Sequence, residues 1–157
     1  MAHRLLAPAL LAAAALPAHR ATASQSYYVA HPFGFAVPVD AVATVEQTDD
    51  GFIVYPDGNP GDRSPTVVTV HWLPEQPDAA GAPLAETRQF DGFAAAYAVR
   101  SVTVGSGGTE YTLTVTRPLC GGTLEVREQQ QSEFGSMPGF YAGWHMVEWA
   151  RCNDDAD

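Results

Sequence analysis

The run Asp57-Gly58-Asn59-Pro60-Gly61-Asp62 gathers oxygen-bearing side chains of the kind that ligate a hard cation. A calcium loop needs oxygen donors at alternating positions and a bidentate acid further on. Asp57 and Asn59 alternate, but Pro60 takes the next step and no glutamate closes the loop. The run therefore reads as an exposed polar turn, and a long polar loop suits surface recognition. A second run, Glu128-Gln129-Gln130-Gln131-Ser132-Glu133-Phe134-Gly135, follows a strand-like segment and ends with an aromatic before a glycine. It reads first as a solvated strand end and loop; the functional alternative is a binding loop that offers acids and amides to a partner.

Catalytic chemistry finds little support. The glycine-rich Gly105–Glu110 leads into a strand pattern rather than a helix, and the chain has no lysine to complete a phosphate loop. Nucleophilic catalysis needs a serine or cysteine, a base and an orienting group together. His31, His71 and His145 fall in contexts that read as structural, and no Gly-x-Ser-x-Gly elbow occurs. With 18 acidic residues some carboxylate pairs are inevitable, so a glycosidase-like pair carries almost no information. The expectation is a protein that is not an enzyme, with no cofactor and no metal.

Charge narrows the partners. Eight basic residues, all arginine, stand against 18 acids, for a formal charge of −10. Neutralising phosphates needs a basic face, so nucleic acid is excluded. An anionic membrane surface is excluded for the same reason.

Residues 1–23 read as an export signal. Arg4 precedes the apolar run Leu5–Leu16, and Ala21-Thr22-Ala23 offers a cleavage site. A bilayer span needs about 20 apolar residues, which this run does not reach. No cysteine lies near the cleavage point, so no lipid anchor is expected. Cleavage would remove Arg4 and Arg20 and leave a single periplasmic domain, residues 24–157, more acidic still. Cys120 and Cys152 then enter an oxidising compartment as an isolated pair, and a disulfide between them is expected. The alternative, a nucleophilic thiol, lacks a histidine in a recognisable context.

The elements that must carry these residues follow from periodicity. Thr66–Leu73 is the clearest strand, with Val68, Val70 and Trp72 on one face, and its apolar character places it in a sheet centre. Glu110–Arg117 alternates with Tyr111, Leu113 and Val115 inward, and Pro118 is expected to end it. Val99–Val104 and Thr123–Glu128 flank it in an antiparallel meander. Shorter strands are expected at Tyr27–Ala30, Phe33–Val37 (ended by Pro38), Val42–Glu46 and Phe52–Tyr55, and a short helix at Leu84–Phe90. Pro138–Arg151 is the best helix, with Ser136 as candidate N-cap and His145 and Arg151 toward its C-terminal end. The sum is an α+β fold: a mainly antiparallel sheet of five to seven strands with a C-terminal helix packed on one face.

Three features together resemble the periplasmic immunity proteins of type VI secretion systems, in particular the set that neutralises a muramidase-type, peptidoglycan-cutting effector of the Pseudomonas kind. They are Phe35-Ala36-Val37-Pro38, the turn into strand Gly107-Gly108-Thr109-Glu110-Tyr111-Thr112-Leu113, and the Glu128–Phe140 stretch leading into an aromatic helix. The resemblance implies a non-catalytic inhibitor that binds and occludes a secreted cell-wall-degrading toxin. A basic cleft rim on such a toxin would attract this acidic chain. The loops Tyr55–Arg63 and Glu128–Ser136 are the expected contact surface, with Tyr55, Asp57, Asn59, Glu128, Glu133 and Phe134 as partner-binding residues. The alternative is an exported small-ligand or metal-binding module, which the similarity of the strand-and-helix order to PsbP-like folds implies.

Overall fold

The inward faces predicted for Thr66–Leu73 and Glu110–Arg117 belong to one seven-stranded antiparallel sheet. It appears in a computed structural model that describes residues 26–30, 34–60, 65–74, 84, 86–105, 107–133 and 135–153. The export signal expected at 1–23 lies outside these residues. In chain order the elements are β1 (Ser26–Ala30), β2 (Phe35–Val39), β3 (Thr44–Gln47), β4 (Gly51–Tyr55), β5 (Thr66–Leu73), β6 (Glu86–Gln89), β7 (Ala94–Thr103), β8 (Thr109–Leu119), β9 (Gly122–Ser132), α1 (Tyr141–Trp149) and β10 (Arg151–Cys152). The large sheet runs β3-β4-β5-β9-β8-β7-β6, and β1-β2-β10 form a second, three-stranded sheet. The expected α+β class therefore stands, with a small sheet added to it.

Period-two alternation builds the core. Val68 and Val70 on β5, Leu113 and Val115 on β8, and Leu124 and Val126 on β9 are fully buried or nearly so. Above them lie α1, through Met146 and Val147, and β2, through Phe35 and Val37. The Phe35 ring stacks on Phe52 of β4 at a centroid distance of 6.1 Å, which joins the two sheets.

Several local expectations are corrected. Leu84–Phe90 does not form a helix: Glu86–Gln89 is an edge strand paired with β7. Its helix-forming residues lose to pairing, helped by the Arg88 guanidinium lying 4.4 Å over the Trp144 ring. Pro118 does not end β8, and Pro38 does not end β2. The partner β7 reaches β8 only as far as Thr116, and β10 reaches β2 only at Phe35 and Ala36. Each proline thus sits where one side of its strand lacks a neighbour and a missing N–H is tolerated.

The helix is shorter than expected. It starts after Phe140, which holds a left-handed φ of 51° and makes no side-chain cap, so Ser136 is not the N-cap. Arg151 lies beyond the helix in β10. The sheet holds both helix ends instead. At the N-terminus the Glu128 carboxylate of β9 accepts the Gly143 N–H at 2.6 Å. At the C-terminus the Arg117 guanidinium of β8 donates to Val147 O at 2.7 Å and to Ala150 O at 2.5 Å. An anion at the positive end and a cation at the negative end both suit the helix dipole. The expected Cys120–Cys152 disulfide is present, with a Cα–Cα separation of 5.5 Å. It ties β10 to the two-residue β8–β9 turn, where Cys120 and Gly121 take φ of 52° and 76°.

Candidate functional site

Strand register decides which loops meet. Tyr55 at the end of β4 pairs with Thr44 at the start of β3. Thr66 at the start of β5 pairs with Gln130 near the end of β9. Thr109 at the start of β8 pairs with both Ser132 and Thr103. The β2–β3 turn, the β4–β5 loop, the β7–β8 turn and the segment from β9 to α1 therefore all emerge at one end of the large sheet. The two recognition loops expected from the sequence share this end.

Hydrogen bonds fix the loop ends. The Gln131 N–H donates to Pro65 O at 3.3 Å, joining the β4–β5 loop to β9. Thr44 Oγ1 donates to Gly58 O at 2.9 Å, joining it to the β2–β3 turn. Gly58 holds φ of 77°, and a Cβ there would stand 2.6 Å from Val42 O, so only glycine fits this approach. The Tyr111 hydroxyl donates to Gly135 O and pins the segment that leads to α1.

The six expected partner-binding residues fare differently. Asp57 and Asn59 are exposed in the β4–β5 loop, where the Asp57 carboxylate accepts the Asn59 N–H at 3.2 Å in an Asx turn. Glu133 is exposed just past β9. Phe134 lies outside the described residues. Tyr55 is only 7% exposed, and its hydroxyl donates to Glu46 at 3.1 Å.

Glu128 is a correction. The expected loop Glu128–Ser136 begins inside β9, which runs to Ser132. The alternation that turns Leu124 and Val126 inward continues to Glu128, which is fully buried beneath α1. Burial pushes its carboxyl up from the ordinary 4.5, against the opposing pull of the Gly143 N–H and the Gln130 amide. This acid holds a helix and is not offered to a partner.

The same end carries groups that sequence reasoning missed. Val42 is 73% exposed at the tip of the β2–β3 turn, Met137 is 66% exposed, and Tyr141, the first residue of α1, is 83% exposed. Asp40 is exposed beside them. None of the described residues in these four connections is basic. Between the β2–β3 turn, the end of β4 and the start of α1 lies a cleft of about 40 Å³, walled by Val39, Ala43, Pro56, Ala142 and Met146. A small-molecule site occupies several hundred Å³. The His71–Asp50 pair, at 2.9 Å, lies at the opposite end of the sheet.

Residues 34–151 match the type six secretion immunity 3 domain. The chain belongs to this family. The match takes in every element from β2 to α1, and with them all four connections at the loop end. The immunity-domain chain is also similar to a solved structure from Bacteroides thetaiotaomicron VPI-5482, with a TM-score of 0.52 at 9% identity. The alignment covers 79% of this chain and 47% of that one, so the immunity-domain chain spans about half the length of the structure it resembles. That likeness is one of fold. No individual curated protein matches the sequence.

Proposed function

We propose that this immunity-domain protein is a non-catalytic periplasmic inhibitor that binds a secreted, peptidoglycan-cutting toxin of the muramidase type and occludes its cleft. The observation that carries the reading is the family match across residues 34–151. The convergence of the loops at one sheet end supports a single contact surface that includes Asp57, Asn59 and Glu133, to which the sequence reading adds Phe134. Tyr55 is largely buried, and its carbonyl accepts the Gly58 N–H at 3.0 Å and closes the first turn of the β4–β5 loop. The exposed acids Asp40, Asp57 and Glu133 at this end steer a cationic cleft rim toward it. The export signal read at residues 1–23 would deliver the chain to the compartment where such a toxin acts.

The test is binding and growth rescue with the secreted toxin encoded beside this chain. The purified parent binds one to one, and co-expression protects. Glu133→Arg and Phe134→Ala each weaken binding by about 2 kcal/mol if they are central to the contact. If both variants bind and protect as well as the parent, the loop assignment is wrong. If the pure protein itself cleaves peptidoglycan, and loses that activity on mutation of one acid, the inhibitor reading falls.

A further inference from the structure

The cleft at the loop end has a chemistry of its own, and its use rests on the toxin-binding reading above. Its walls, from Val39, Ala43, Pro56, Ala142 and Met146, are apolar, while Asp40 and His145 supply the polar groups at its edge. Two exposed apolar residues, Val42 and Tyr141, adjoin the lining residues Ala43 and Ala142 in the chain and so flank it. Asp40 O accepts the Ala43 N–H at 3.0 Å, which closes a turn and puts Val42 at its tip. On the other side, Tyr141 stands one helical turn before His145, so the two are surface neighbours.

Both flanking residues are held in place. A Cβ on Gly139 would meet the Tyr141 ring at 2.6 Å, so that ring lies against bare backbone while remaining mostly exposed. Phe140, immediately before it, is buried and anchors the helix start. Val42 O lies against Gly58 of the neighbouring loop. An ordered tyrosine at the helix start and an ordered valine at a turn tip lose little conformational freedom on binding.

We propose that this cleft receives one basic side chain of the toxin, between Val42 and Tyr141 as apolar anchors. Arginine and lysine bury their methylene stems along apolar walls and keep the charged head at a polar edge. Here the stem enters between Ala43, Pro56 and Ala142, and the head reaches the Asp40 carboxylate. The acidic character of the chain, −10 overall, favours the approach of such a group.

The experiment measures affinity for the toxin encoded beside this chain, with the full exported protein and four variants. Tyr141→Ala and Asp40→Lys each lower affinity by at least about tenfold, and Asp40→Asn by somewhat less. Asp91→Lys, the same charge change in the exposed β6–β7 turn at the other end of the sheet, leaves affinity within about twofold. Thermal melting without toxin stays unchanged in all four, because every altered side chain is exposed. If the parent binds and Tyr141→Ala and Asp40→Lys bind equally well, the cleft is not the contact and toxin binding lies elsewhere. If Tyr141→Ala weakens binding but Asp40→Asn and Asp40→Lys do not, the occupant is not basic and the proposal fails. If the parent itself does not bind, the toxin-binding reading falls, and this one with it.

Discussion

Replacing Glu128 by glutamine separates a buried strut from a contact residue. The carboxylate accepts hydrogen bonds from the Gly143 N–H at 2.6 Å and from Gln130 Nε2 at 2.5 Å, with no exposure to water. A hydrogen bond to an ionised group contributes about 1.5–3 kcal/mol, a neutral one about 0.5–1.5. Glutamine keeps an acceptor for Gly143, and rotation of the Gln130 amide restores the second bond. The substitution thus loses roughly 2 kcal/mol of charge-assisted bonding. Against that, the desolvation penalty of a buried ion is several kcal/mol. The raised pKa of Glu128 says that desolvation wins. At neutral pH Glu128→Gln should therefore be more stable than the parent.

The pH dependence follows from linkage. Between the unfolded value near 4.5 and the higher folded one, the folded state binds more protons than the unfolded state. The slope of unfolding free energy with pH is then negative, so this group removes stability as pH rises through that window and restores it as pH falls. Urea titrations of parent and Glu128→Gln, followed by tryptophan fluorescence, should diverge at neutral pH and converge below about pH 4.5. Toxin affinity should not change. A glutamine variant that is less stable by a constant amount at every pH would refute the electrostatic argument. A large loss of toxin affinity without loss of stability would return Glu128 to the contact surface.

Gly143→Ala should destabilise by about 1–3 kcal/mol despite alanine's better helix propensity, because its Cβ would lie 2.8 Å from Glu128 Oε2; a urea midpoint at or above the parent's would show that α1 can shift. Arg117→Ala should cost at least about 3 kcal/mol, since it leaves the Val147 and Ala150 carbonyls without their cation, and Arg117→Lys should recover only part of it. Serine at both Cys120 and Cys152 should lower stability by roughly 3–4 kcal/mol in the chain-entropy model, and thiol titration of the native parent should find neither cysteine free.

What the sequence disclosed depended on how strictly it alternated. In β5 and β8, β-branched and aromatic residues recur with period two, and their inward faces were readable directly. The edge strand β6 was not, because all four of its residues are exposed and its side chains favour a helix equally well. Glu128 and Arg117 went unread for a related reason. Each continues the inward phase of its strand, but charge made inward placement look implausible until α1 supplied the groups that satisfy both. Extending the series Tyr111, Leu113, Val115 by one step would have reached Arg117. The meeting of the recognition loops at one end needed antiparallel register, which no local pattern encodes. The exposure of Tyr141 turned on the left-handed turn at Phe140, a conformation its residue type does not announce.

The two charged struts have a consequence for recognition. An interface loses affinity for every side chain and loop that must be ordered on contact. Here the helix start, which carries Tyr141 and one wall of the cleft, is fixed to β9 through Glu128, and the helix end is fixed to β8 through Arg117 and held nearby by the disulfide. The opposite wall, the β2–β3 turn, is fixed to the β4–β5 loop through Thr44 and Gly58. Neither wall then needs to fold on binding, and changes in the exposed side chains of Asp40, Val42, Asp57, Glu133 and Tyr141 leave the core untouched. Such a surface can change its partner chemistry without changing its frame, which is what a protein matched to one particular toxin requires.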